Sequence, residues 1–100
     1  SDERWSRINS ILNAEADIVA GEEVFRATTT GEACTDCHGD NGEGGFGPNY
    51  QQVFSQKTDW QMMSTIIDGR ASMPAWGETL SDQELTDLFG YLRANYDPTP

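Results

Sequence analysis

The residues best suited to chemistry lie in one short run, Cys34-Thr35-Asp36-Cys37-His38. Thiols at this spacing can reach the two vinyl groups on one edge of a porphyrin and form thioethers. The imidazole of the next residue then lies beneath the iron. The pattern is typical of covalent haem attachment, and it predicts one haem c held by Cys34 and Cys37 with His38 as an axial ligand.

Two other interpretations of the cysteine pair conflict with the rest of the chain. A structural zinc site needs four ligands, usually Cys or His, whereas the chain contains two cysteines and one histidine. A thioredoxin-like redox pair belongs in a βαβ unit. No run of alternating β-branched residues predicts a strand here, so haem attachment is the favoured interpretation.

The second axial ligand must be something other than histidine, because His38 is the only one. The candidates are Met, Lys, a terminal amine, water or an open position. A methionine thioether stabilises reduced iron and raises the potential. Met62 and Met63 fall in a predicted helix, where core packing is expected. Met73 precedes Pro74, which favours an extended backbone at the residue before it, so Met73 is the predicted ligand.

Helices are expected to position these residues. Apolar side chains recur at helical spacing in residues 1–15, and a second helix is expected to begin at Asp17 as its N-cap. Two capping boxes predict two further helices, and a glycine is expected to end the first of these. The boxes are Thr58 with Gln61 and Ser81 with Glu84, and the glycine is Gly69. Residues 39–50 and 70–80 are expected to be loops, and the predicted fold class is all-α.

The composition limits the possible partners. The chain has 100 residues, enough for one domain, and 17 acidic against 6 basic residues give a formal net charge of −11. Nucleic acid and anionic membrane surfaces are therefore poor partners. No apolar stretch is long enough to cross a bilayer.

Several segments, taken in order, resemble the small bacterial class I c-type cytochromes. The resemblance extends over about residues 16–95 and implies the class I cytochrome c fold, with helices and loops wrapped around one covalently attached haem. The segments are CTDCHG at 34–39, Gly47-Pro48, IDGR at 67–70, MPAW at 73–76, LSD at 80–82 and Tyr91-Leu92.

The resemblance also implies individual roles. The carbonyl of Pro48 would accept a hydrogen bond from His38 Nδ1, and Met73 would be the axial ligand. Gly21 and Phe25 would cross the last helix near its tyrosine. Further candidates for contact with the haem are Trp60, Arg70 and Trp76, for which core packing or, for the arginine, solvent exposure is the alternative.

The expected domain organisation has three parts. Residues 1–15 form an N-terminal extension (an extra helix or a linker), residues 16–97 the cytochrome domain, and residues 98–100 a tail. The segment 28–33 before the first cysteine is longer than is usual for the family.

The expected function is one-electron transfer rather than enzymatic catalysis, by a soluble periplasmic carrier whose redox partners present a basic or neutral docking face. The alternative is a haem c domain or subunit of a larger oxidoreductase. Ligand binding or peroxidase-like chemistry would require Met73 to be absent from the iron or easily displaced.

Overall fold

The computed structural model of the protein describes residues 2–26, 50–69 and 75–97. Within these ranges the chain forms helices and no strand, which confirms the all-α prediction. The helices are α1 (Asp2–Asn13), α2 (Ile18–Arg26), α3 (Tyr50–Gln56), α4 (Asp59–Asp68) and α5 (Asp82–Tyr96).

The most extensive packing among these helices is between α2 and α5. Gly21 lies at the crossing, where a Cβ atom would overlap the backbone carbonyl of Asp87 and come within 2.8 Å of the Cβ of Tyr91. The ring of Phe25 lies 5.4 Å from that of Tyr91, centroid to centroid. The predicted crossing of the first family helix against the last one is confirmed.

Side-chain caps begin the helices where the sequence predicts them. Thr58 with Gln61 caps α4, and Ser81 with Glu84 caps α5, each as a complete capping box. At the other end of α4, Gly69 has φ 75° and its N–H donates to the carbonyl of Thr65. This left-handed φ favours glycine.

The start of α2 is also capped as predicted. The Asp17 side chain accepts a hydrogen bond from the N–H of Ala20 at 3.1 Å. The N–H of Asp17 in turn donates to the buried carboxylate of Asp87 on α5, at 2.9 Å. The cap therefore also ties α2 to α5.

Helix α1 packs on α4 and α5. Ile8 and Ile11 on its inner face are almost completely buried in the hydrophobic core. The hydroxyl of Thr86 on α5 donates to the backbone carbonyl of Ile11 at 2.8 Å in a buried position. Because α1 contributes fully buried side chains to the core, removing it would expose that core.

Helix α3 begins at Tyr50, the last residue of the range 39–50 that was expected to be loop, so that boundary was wrong by one residue. The rest of that range lies outside the described residues. The only apolar side chains of α3 that the structure describes, Val53 and Phe54, are half-buried. Phe54 packs against Phe89 on α5, with ring centroids 5.9 Å apart. This tertiary contact stabilises a helix too short to be stable alone.

Candidate haem site

Most of the predicted haem contacts lie outside the described residues. These are Cys34, Cys37, His38, Pro48, Arg70 and Met73. The structure does describe Trp60 and Trp76. It also describes the residues on either side of positions 70–74, which contain Met73 and which we call the Met73 segment.

Trp60 lies in the first turn of α4 and is half-buried. The guanidinium carbon of Arg4, on α1, lies 5.6 Å from the centre of the Trp60 ring. The indole Nε1 has no exposed surface and no hydrogen-bond partner, the only such side-chain atom in the described part of the chain. A buried N–H without an acceptor is unfavourable, so this atom requires a partner.

Trp76 is buried and follows the C-terminal end of the Met73 segment. Its backbone is hydrogen-bonded to α4. Its N–H donates to the carbonyl of Ile66 at 2.8 Å, and the N–H of Gly77 donates to the carbonyl of Ile67 at 3.1 Å. We call this pair of backbone hydrogen bonds the neck. The neck places the residues that follow the Met73 segment beside the helix that precedes it.

Gly77 is required for this close approach. A Cβ atom at position 77 would lie 2.6 Å from Cγ2 of Ile67 and 2.9 Å from its carbonyl oxygen. Neither the helix backbone nor a β-branched side chain can move away easily. Only glycine fits the neck as it stands.

Two arginines of α1 contact the residues around the neck. Arg7 donates through Nη2 to the carbonyl of Gly77 at 2.6 Å and through Nε to the carboxylate of Asp82 at 2.9 Å. Arg4 donates to Ser64 Oγ at 2.7 Å and forms an ion pair with Asp68. Sequence reasoning missed these contacts, since nothing in the spacing of α1 indicates partners 60 to 75 residues away.

The methionines of α4 are core residues. Met63 is fully buried and Met62 is 7% exposed, and both belong to the main hydrophobic cluster. Their burial agrees with the packing role that the sequence predicts for them.

The residue types fit a haem. The two cysteines and the histidine supply the covalent attachment and one axial ligand. The buried N–H of Trp60 requires an acceptor, and the carboxylates of haem propionates are strong acceptors.

Comparison with known proteins agrees with this chemistry. The sequence model of the family described as cytochrome C oxidase, cbb3-type, subunit III matches residues 16–92. The chain therefore belongs to this family of c-type cytochrome domains. It binds haem c covalently, and the domain transfers electrons.

Two curated relatives are also cytochromes c. Cytochrome c-551 of Bacillus subtilis (strain 168) is 31% identical over 74 residues, which are 74% of this chain and 62% of that protein. A cytochrome c-553-like protein of Synechocystis sp. is 25% identical over 87 residues, covering 86% of this chain and 76% of its own length. The match thus spans less than two thirds of the Bacillus protein.

The fold is also found in a solved structure. It is the crystal structure of cytochrome CL from the marine methylotrophic bacterium Methylophaga aminisulfidivorans MPT, with a TM-score of 0.68 at 24% identity. The similarity covers 90% of this chain and 68% of that one. Together with the helices described above, it confirms the class I cytochrome c fold.

The described ranges offer neither a metal-binding cluster nor a membrane span. Histidine, cysteine and carboxylate side chains do not gather there in groups of three or more that could hold a metal ion. None of the helices in those ranges is both long and apolar enough to cross a membrane.

Proposed function

We propose that the chain carries single electrons on one haem c bound through Cys34 and Cys37, with His38 and Met73 as the axial ligands of the iron. The observation that supports this most strongly is the Cys34–His38 run inside the matched range 16–92. The bound haem supplies the redox chemistry, since its iron alternates between the ferric and ferrous states. The protein supplies the two cysteines that attach the haem and the side chains that ligate its iron.

The choice of Met73 is supported by the neck. The Met73 segment leaves α4 after Gly69 and must return by Trp76, which is bonded to Ile66. Met73 is three positions before Trp76, whose backbone the neck fixes against the last turn of α4. Met63, by contrast, is already fully buried in the core.

Four further residues complete the proposed haem pocket. The carbonyl of Pro48 would accept a hydrogen bond from Nδ1 of His38 and so fix the orientation of the imidazole. Trp60 Nε1 and Arg70 would hydrogen-bond to the propionates, and Trp76 would pack beside the haem. The buried, unpartnered indole N–H gives the role of Trp60 its own structural support.

A substitution at Met73 tests the ligand assignment. Met73→Ala should abolish the long-wavelength sulfur-to-iron absorption band, lower the reduction potential and let exogenous ligands bind the iron. Met63→Ala is the matched control and should keep the band, although it costs about 2–5 kcal/mol of stability through the cavity it leaves. Retention of the band in Met73→Ala would overturn the assignment, and its loss in Met63→Ala would point to Met63 instead.

The physiological role we propose is that of a soluble carrier in the bacterial periplasm, since covalent haem attachment of this kind takes place outside the cytoplasm. Its redox partners would present a basic or neutral face to the acidic chain. A haem c domain or subunit of a larger oxidoreductase is the second candidate, favoured by the description of the matching family. The length of the natural gene separates the two: a signal peptide alone upstream supports the carrier, and a fused enzyme domain supports the alternative.

A further inference from the structure

Helix α1 lies outside the range that the family model matches, residues 16–92. Its contacts nevertheless converge on the two ends of the Met73 segment. The contacts of Arg4 are on α4, before the segment, and those of Arg7 are on Gly77 and Asp82, after it. One helix thus holds both sides of the neck.

The contacts of Arg4 follow one row along α4. Trp60, Ser64 and Asp68 are spaced four residues apart, so their side chains lie on the same face of the helix. The guanidinium of Arg4 lies over the first, hydrogen-bonds to the second and pairs with the third. This arrangement fixes the last turn of α4, where the neck begins.

Arg7 acts on the other side of the neck. Its fork binds the carbonyl of Gly77 and the carboxylate of Asp82 at once, a two-point contact suited to a planar guanidinium. Gly77 is the residue whose N–H closes the neck on Ile67. Arg7 therefore holds the backbone around Gly77 in place.

Arg4 and Arg7 lie on a helix, α1, that is itself held in place by its buried face. Ile8 lies next to Arg7 and is fully buried, and the carbonyl of Ile11 accepts a buried hydrogen bond from Thr86. The buried apolar face restricts how far α1 can shift. The contacts of Arg4 and Arg7 therefore cost less conformational entropy than they would on a mobile helix.

We propose that α1 is a brace for the axial ligand: Arg7 and Arg4 are positioning residues that keep the neck closed and thereby keep Met73 on the iron. This inference rests on the proposed ligation by Met73. Opening of the neck frees the Met73 segment at one end, and the vacated iron position can then bind another ligand. The brace lowers the population of that opened state.

Imidazole binding to the ferric protein measures this population, because imidazole binds only where the methionine has left and its apparent affinity scales with the competent fraction. Arg7→Gln should tighten apparent imidazole binding about fivefold, a modest factor because Arg7 is one-third exposed and solvent weakens its contacts. Arg4→Gln should act in the same direction.

Arg26→Gln is the matched control. Arg26 has similar exposure and also pairs with a carboxylate, but its ion-pair partner Glu22 lies on the same helix. Its further hydrogen bond, to the Tyr91 hydroxyl on α5 at 3.5 Å, does not involve the neck. This substitution should leave imidazole affinity unchanged. Arg7→Lys, which keeps the charge but has a single donor nitrogen, should have an imidazole affinity between those of the wild-type protein and Arg7→Gln.

Amide hydrogen exchange tests the brace without reference to the iron ligand. The N–H groups of Trp76 and Gly77 close the neck, so both should exchange several-fold faster in Arg7→Gln, while those of the α2–α5 contact keep their rates. Unchanged exchange and unchanged imidazole affinity in Arg7→Gln would overturn the brace, even if Met73→Ala shows that Met73 is the ligand. A sulfur band that survives Met73→Ala would instead remove the proposed ligation, and with it the link between the neck and the iron.

Discussion

At the scale of single residues, the effect of Trp60→Phe on stability depends on whether the indole Nε1 has a hydrogen-bond acceptor in the haem-loaded protein. Its Nε1 is buried and unpartnered among the described residues. If a haem propionate accepts this hydrogen bond, Trp60→Phe removes a bond to a charged group but keeps a ring beneath Arg4. We therefore expect the haem-loaded protein to lose about 1.5–3 kcal/mol of unfolding free energy, measured by guanidinium denaturation.

Trp5→Phe provides the control for this substitution. Trp5 is 58% exposed on α1, and exposed substitutions away from special contacts usually change stability by less than about 0.5 kcal/mol. A Trp60→Phe protein more stable than wild type would mean that the N–H has no acceptor in the loaded protein. The propionate contact would then be wrong.

Single residues differ in how well the sequence reveals them. The run from Cys34 to His38 carries its chemistry in its spacing, so it predicts the cofactor without any knowledge of the fold. Arg4 and Arg7 carry no such local signal. Their partners lie on other helices, and only the packed structure brings them within hydrogen-bonding distance.

At the scale of elements, the α2–α5 crossing depends on the absence of a side chain at position 21. Gly21→Ala would place a Cβ atom against the carbonyl of Asp87. Since backbone on a packed helix cannot yield without moving the helix, we expect a loss of about 1–3 kcal/mol despite the better helix propensity of alanine. Thermal or denaturant unfolding of the loaded protein measures it.

Val19→Ala is the comparison within α2. Val19 is 71% exposed, and alanine has the higher helix propensity, so this variant should be as stable as wild type. If Gly21→Ala and Val19→Ala were equally stable, α2 and α5 could move apart without loss of stability. That result would contradict the conclusion that the crossing requires glycine at position 21.

Helix ends are the part of the fold that the sequence predicts best. Both capping boxes consist of residues three positions apart, and each forms as expected, because capping is a local interaction. Helix α3 was missed because it follows a glycine-rich stretch and packs through few apolar side chains, notably Phe54 against Phe89. Its stability comes from a tertiary contact that no local pattern shows.

At the scale of the whole molecule, the arginines in the described ranges are already compensated, because each forms an ion pair with a carboxylate. Apart from Lys57, the charge that remains in the described ranges is therefore acidic, in a chain whose formal net charge is −11. The propionates of the haem add to it. The pairs are Arg4–Asp68, Arg7–Asp82, Arg26–Glu22 and Arg93–Asp59.

Salt acts on this charge in two opposing ways. It weakens the exposed ion pairs, which lowers stability slightly, and it screens the repulsion among carboxylates, which raises stability. These effects offset each other within the folded protein. For attraction to a basic partner, salt has only a weakening effect. The attraction falls as the Debye length shortens to about 8 Å at physiological ionic strength.

We therefore expect the second-order rate of electron transfer to a basic partner protein to fall as salt rises, while the melting temperature of the protein stays nearly constant. The rival explanation is adaptation to a saline habitat, suggested by the single lysine, Lys57, among 17 acidic residues. On that view salt stabilises the fold and leaves the rate unchanged. Measuring both quantities across one salt series separates the two, and a melting temperature that rises with an indifferent rate would contradict electrostatic steering.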